Sequence, residues 1–327
     1  MPDRRLMLLD TASLYFRAFY GVPTSITDEH GQPVNAVRGL LDFISRFVGE
    51  YRPTHLVCCW DNDWRPQWRV ELLASYKTHR VAADPAAGAG VLGAGGQGAQ
   101  SGVAEESPDE LGPQVPVILD VLRALGIAVV GHDGYEADDV IGTLATVGAA
   151  AGAAVDVVTG DRDLFQLVDD ASGVRVLYVA RGISKHERVD DAWVQQKYAV
   201  PPSAYADLAV MRGDTSDGIP GVPGIGEKTG AQLLARHGSL HGILAAASAD
   251  DPTVTAGVRA KLAAAIDYLA VAPDVVHVVR DLDLGVGLED LVLPTGPADP
   301  EALEALGTRW SLGGSTRRIA DALALSR

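Results

Sequence analysis

Short apolar runs alternate with longer stretches of helical spacing along the first half of the chain. LMLLD (6–10), HLVCCW (55–60), IAVV (127–130), VDVVTGD (155–161) and VRVLYV (174–179) read as buried strands. Near-continuous apolar character fits strands covered on both faces. Between them, residues 36–51, 111–125 and 137–151 space their apolar positions as helices do. Strands alternating with helices predict an α/β architecture around a mainly parallel sheet. After about residue 182 the pattern changes. Helical runs at 190–198, 203–211, 227–236 and 256–270 carry no strong strand between them, which predicts a small helical domain. The stretch from 271 mixes apolar pairs with Asp and Pro and yields no assigned element. The expected division is 1–182, 183–295 and a C-terminal tail, 296–327.

Composition refines this picture in three places. Residues 82–104 hold eight Ala and seven Gly, with no aromatic, Lys or Arg, and read as a mobile loop without a core of its own. Cys58 and Cys59 are adjacent on a predicted strand and point to opposite faces, which argues against a disulfide between them, and a reduced, cytoplasmic protein is expected. The apolar stretch at the N-terminus is too short for a signal peptide, and Val140–Val155 is too short to span a bilayer. No membrane partner is expected.

The formal net charge of −16 ordinarily argues against a nucleic-acid partner. The acids, however, are concentrated. Asp10 ends the first strand and Asp61 follows the second. Glu136, Asp138 and Asp139 follow the third after a short turn, and Asp161 and Asp163 end the fourth. In a parallel sheet those ends share one edge, where ligands of open α/β sheets bind. Asp214 and Asp217 can join from the helical domain. Nine of the 43 acids are then in one site, and bound divalent cations would reverse its sign. Hard cations take oxygen ligands, and two of them about 4 Å apart can clamp a phosphodiester. The absence of His and Cys argues against zinc. Taken singly, Asp10, Asp61 and Asp161 read equally well as helix N-caps, and EADD (136–139) as acids favoured by a helix dipole. The number gathered at one edge favours metal binding.

Two further stretches bear on a ligand. GVPGIGEKT (221–229) approaches a phosphate-binding P-loop, but Glu227 separates Gly226 from Lys228 and no strand precedes it, so nucleotide hydrolysis is rejected. A turn with Gly224 and Gly226 opening a helix still offers backbone N–H groups to an anion, and Lys228 and Thr229 on its first turn suit a DNA phosphate. The plain alternative is an interhelical turn. RPQWRVELLASYKTHR (65–80) places Arg69 and Lys77 eight apart, where they could share a helical face. A solvated charged face is the plain reading there, but the position just after Asp61 favours substrate contact.

GYEADD (134–139), TGDRDLFQL (159–167) and GDTSDGIPGVPGIGEKTG (213–230) make the chain resemble the bacterial 5′–3′ exonuclease and flap endonuclease family, from Arg5 to about residue 290. The family includes the N-terminal nuclease domain of DNA polymerase I. The resemblance implies a PIN-like nuclease domain followed by a helix-three-turn-helix DNA-binding domain. It also implies hydrolysis of DNA from a 5′ end and at 5′ flaps, in replication and repair. The implied ligands of two or more Mg²⁺ or Mn²⁺ ions are Asp10, Asp61, Glu136, Asp138, Asp139, Asp161, Asp163, Asp214 and Asp217. SYKTHR resembles part of an arch (about 65–110), with Lys77 at the scissile phosphate and Arg80 at the 5′ end. Arg69, Tyr76, Gly224, Gly226, Lys228 and Thr229 are the expected DNA contacts, and K⁺ is expected on turn carbonyls between 213 and 226. With no polymerase domain following, a stand-alone, monomeric nuclease is expected. The competing readings are a PIN-type metal-dependent ribonuclease and a DNA-binding protein without catalysis. The second predicts missing acids, and none is missing.

Overall fold

The computed structural model describes residues 4–82 and 105–325. The predicted loop at 82–104 therefore lies outside the described residues except for Ala82. A six-stranded sheet runs in the order β3-β2-β1-β4-β5-β6. Its strands are β1 (Arg5–Asp10), β2 (His55–Trp60), β3 (Ala128–Gly131), β4 (Ala154–Thr159), β5 (Val174–Tyr178) and β6 (Glu187–Val189). The first five pair in parallel and β6 is antiparallel to β5. The sheet thus continues past 182, because a three-residue edge strand, ERV, carries too little pattern to be read from sequence.

Successive residues of β1 serve opposite faces. Leu6 and Leu8 pack in one core with Val140, Ile141 and Leu144 of helix α5 (Ala137–Ala150). Met7 and Leu9 pack in the other with three helices: α1 (Thr11–Gly21), α2 (Asn35–Tyr51) and α4 (Gln114–Leu125). The chain runs outward from β1 through β2 to β3, then returns to the other side of β1 as β4. That reversal opens a crevice beyond the C-terminal ends of β1 and β4. Asp10 and Asp161 lie at those ends.

Between β2 and α4 stand α3 (Gln67–Leu72) and a short 3-10 turn, Thr78–Arg80. Lys77, between them, has left-handed backbone (φ 48°). Arg69 and Lys77 therefore do not share one helical face; α3 ends at Leu72 and the chain turns twice before residue 80. The helical region comprises α6 (Asp191–Tyr198), α7 (Tyr205–Arg212), α8 (Glu227–His237), α9 (Leu240–Ser248), α10 (Ala256–Ala264) and α11 (Ile266–Val276).

The residues after α11 return to the nuclease sheet. Val279 N–H donates to Asp139, Leu293 N–H to the Thr54 carbonyl and Asp299 N–H to the Ala124 carbonyl. Helix α12 (Pro300–Arg309) then packs on α4, and α13 (Gly314–Ala324) on α2. Leu303, Leu312, Ile319 and Leu323 are buried there. The expected tail is thus two docked helices that complete one face of the molecule.

Candidate active site

Asp10 is both a cap and a site residue. Its Oδ1 accepts from Ser13 N–H at 3.1 Å, capping α1, and its Oδ2 accepts from Thr159 Oγ at 2.6 Å across the β1–β4 gap. Asp61 Oδ1 accepts from Ala137 N–H at 2.7 Å at the start of α5. Asp161 Oδ1 accepts from Asp163 N–H at 2.9 Å. The capping reading and the cluster reading hold together, because the caps fix each carboxylate while a second face remains toward a shared space.

That space is a cavity of about 950 Å³ lined by Asp10, Asp61, Glu136, Asp138 and Asp161, with Lys77 and Arg80. Its outer wall is built by α1 and α2 through Phe16, Arg17, Tyr20, Asp42, Phe43 and Arg46. Burial and the neighbouring Glu136 push Asp61 up to about 7. Burial, then repulsion from Asp10 and Asp161, holds Asp138 well above the usual carboxylate range. Asp10 and Asp161 are raised chiefly by burial as well. A second group sits behind the first. Asp163 is raised by burial and by Asp161, Asp217 and Asp214, and Asp217 by burial and then by Asp161. Asp161 thus belongs to both groups.

Such packing of like charges favours protonation in the absence of cations, and divalent cations would relieve it. The donor set, all carboxylate oxygen, fits Mg²⁺ or Mn²⁺. Among the described residues, no three acidic, His or Cys side chains already close into an ion cage.

Lys77 is buried, with its backbone N–H on the Asp217 carbonyl at 2.9 Å. Its Nζ donates to the Trp64 carbonyl at 3.3 Å and to Glu136. Burial alone would lower its pKa, but Glu136 beside it outweighs that and keeps it protonated. Arg80 donates to Glu105 through Nε at 3.0 Å and reaches within 3.7 Å of Asp217. Both predicted cations therefore face the carboxylates.

Four expectations need correction. Asp139 does not face the cavity: it is fully buried, its carboxylate receives a two-pronged bond from Arg69 at 2.7 and 2.8 Å, and it also accepts from the N–H groups of Glu136 and Val279. Its acceptor capacity is taken, so it is a brace and not an open ligand. Arg69 is 3% exposed, which removes it from the DNA surface. It binds Asp139, Glu136 and, through Nε, the Val275 carbonyl at 3.0 Å. Tyr76 is likewise buried, its hydroxyl donating to Glu136 at 2.6 Å. Asp214 turns into its own loop, accepting from Ser216 and from Arg162 Nη2 at 3.0 Å. Gly224, Gly226 and Lys228 are exposed and Thr229 half-buried at the start of α8, some distance along the chain from the cavity lining.

Reading the sequence missed α1 and with it Phe16, Arg17 and Tyr20. The signal was present: Asp10 followed by Ser13 gives a cap, and Leu14, Tyr15, Ala18 and Phe19 follow at helical spacing. Thr159, which ties Asp10 to β4, stood unnoticed beside Asp161.

Comparison with known proteins agrees with this architecture. Residues 5–199 match the family model of the 5′-3′ exonuclease N-terminal resolvase-like domain, and residues 200–300 that of the 5′-3′ exonuclease C-terminal SAM fold. A 5′-3′ exonuclease of Streptomyces coelicolor is 58% identical over 96% of this chain and 98% of its own length. One from Mycobacterium tuberculosis is 48% identical over 97% of each. Among solved structures, a bacteriophage T5 flap endonuclease in a pseudo-enzyme-product complex with DNA and metal ions superposes with a TM-score of 0.61. It is 19% identical and covers 98% of this chain and 100% of that one, a likeness of fold.

Proposed function

The chain belongs to the 5′-3′ exonuclease family and is a nuclease, and we propose that it hydrolyses DNA phosphodiesters from free 5′ ends and at 5′ flaps, as a cytoplasmic monomer. The observation that carries this reading is the convergence of Asp10, Asp61, Glu136, Asp138 and Asp161 on one cavity with Lys77 and Arg80. Those acids, with Asp163 and Asp217 behind them, would hold divalent cations, Mg²⁺ or Mn²⁺. Bound there, such ions supply a nucleophilic water at neutral pH and charge stabilisation at the phosphate.

The chain's own residues do the rest. Lys77 is fixed by Glu136, Trp64 and the Asp217 backbone, so its charge is positioned before substrate arrives. A preorganised cation beside a phosphate stabilises charge that develops in the transition state more than charge already present. Arg80, on the same wall, holds the 5′ end. The α1–α2 wall offers Phe16 and Tyr20, whose rings suit a base unstacked from the duplex. Away from the cavity, the exposed first turn of α8 with Lys228 takes a backbone phosphate. The turn before it, with Gly213, Gly218, Gly221 and Gly224 all at positive φ, is the place for K⁺ on backbone carbonyls.

The test is cleavage of end-labelled DNA bearing a 5′ flap, a nick or no structure, and of matched RNA, with Mg²⁺, Mn²⁺ or EDTA. The expected result is metal-dependent release of short 5′ products from flapped and nicked DNA. Equal cleavage in EDTA, or cleavage confined to RNA, would overturn the reading.

A further inference from the structure

We propose that α13 completes a phosphate-binding strip that leads along α2 out of the catalytic cavity: Arg318 masks Asp42, and the masked strip receives the sugar–phosphate backbone of substrate DNA. The proposal rests on the DNA reading above. Arg38, Asp42 and Arg46 are spaced four apart on α2 and so form one line along the helix. Asp42 and Arg46 line the cavity that also holds Lys77 and Arg80. The line is interrupted at its centre by an acid whose side chain is 41% exposed. Left uncovered, that carboxylate would repel a phosphate backbone approaching the site.

Arg318 covers it. Its Nε donates to Asp42 Oδ1 at 3.0 Å, and its Nη2 reaches Oδ1 at 2.7 Å and Oδ2 at 2.9 Å. The same Nη2 lies 2.9 Å from Ser315 Oγ, which holds the guanidinium in place. At the other end of the line, Arg38 lies beside Gly313 at the start of α13. The other charges nearby are Arg317, exposed on α13, and Glu50, which faces Arg46 at 3.8 Å together with His186 and Arg188. With Arg318 in place, the guanidiniums of Arg38, Arg46 and Arg318 stand against Asp42 and Glu50 along the strip, and Arg188 shares Glu50 with Arg46.

The ion pair is not what docks the helix. α13 is held by buried Ile319, Ala322 and Leu323, whereas Arg318 is 52% exposed and an exposed pair adds little to stability. Its effect is on the local potential, in a cleft whose walls focus the field toward the catalytic cations.

The test uses the full chain, fluorescently labelled nicked duplex in Ca²⁺, and affinity measured across a salt series. Arg318→Ala should weaken binding about 3- to 10-fold near 0.1 M salt and flatten the log–log salt slope by about one. Asp42→Asn should tighten binding, because it removes the acid and leaves Arg318 for a phosphate. The double variant should return close to wild type. An unchanged affinity and slope in Arg318→Ala would overturn the proposal, as would a double variant that binds as weakly as Arg318→Ala. Should Arg318→Ala fail to fold, Asp42→Asn alone decides: tighter binding supports the strip, and unchanged or weaker binding overturns it. If the wild type bound no DNA, the functional reading would fall and the strip with it. If the wild type binds and the variants do not move, only the strip falls.

Discussion

Asp138 and Asp139 are neighbours in sequence with opposite duties. About 100° separates successive residues on a helix, so one faces the cavity while the other turns to Arg69. Sequence shows two equivalent acids in EADD; only the packing of α3 against α5, 70 positions apart, tells them apart. Substituting them should therefore give different signatures. Asp161→Asn, in the residue shared by both carboxylate groups, should cut the cleavage rate by at least about 100-fold while DNA binding and the unfolding midpoint stay near wild type. Rate assays in Mg²⁺ beside binding in Ca²⁺ check this, and full activity would sink Asp161's assignment. Asp139→Asn should instead destabilise the fold, by about 3 kcal/mol or more, because it removes the charge of the two-pronged partner and leaves the buried Arg69 with only the longer Glu136 contact. Urea unfolding is the measurement. A variant inactive yet as stable as wild type would return Asp139 to the metal site. The five acids that line the cavity were legible because each follows an apolar run or the short turn after it. The pairing of Arg69 was not, because a basic residue in a polar stretch looks the same whether it meets water or a distant acid.

Among the elements, the five parallel strands were readable almost to the residue, since strands covered on both faces are written as unbroken apolar runs. The two C-terminal helices were not. Their apolar positions, such as Leu303 and Ile319, are sparse, and what makes them helices is the face of α2 and α4 they cover. The loop between α7 and α8 is a third case: its glycines suggested a phosphate turn, but one also packs on the Ser75–Lys77 turn. Gly218 sits at φ +69°, and a Cβ there would lie 2.1 Å from the Ser75 carbonyl oxygen. Its own carbonyl accepts from Ser75 Oγ at 2.7 Å, and the next contact along ties Asp217 to Lys77. Gly218→Ala should therefore push this loop away from the Lys77 turn, lowering the single-turnover rate about 10-fold or more with a smaller loss in DNA affinity. Rapid-quench kinetics would show this, and a variant with wild-type rate would mean that Lys77 is positioned independently of the loop.

Across the whole molecule, an acidic chain meets a substrate of the same sign at a cavity where Asp10, Asp61, Glu136, Asp138 and Asp161 gather and whose outer wall presents Arg17 and Arg46. The resemblance and the sheet edge made the cavity acids readable; the place of α13 was not, because its sparse apolar positions do not reveal the α2 face that it covers. The division of the chain into a nuclease part and a helical part was also easy to read, but the packing does not honour it. One core runs without a break from Leu6 and Leu8 of β1 through Phe165 to Leu208, Leu234 and Leu262 in the helical region. The Arg69–Asp139 brace, Arg69 on the carbonyl of Val275 and Asp139 on the N–H of Val279, fastens the same two parts beside the acids of the cavity. Heating should consequently give a single calorimetric transition whose van't Hoff and measured enthalpies agree, at a length where separate domains commonly melt apart. Two resolved peaks would refute this. The junction of the two family matches at residues 199 and 200 is then no seam in the folding reaction: a helical region grafted from a relative would arrive with half of an interior, and would work only with the sheet against which that half was shaped.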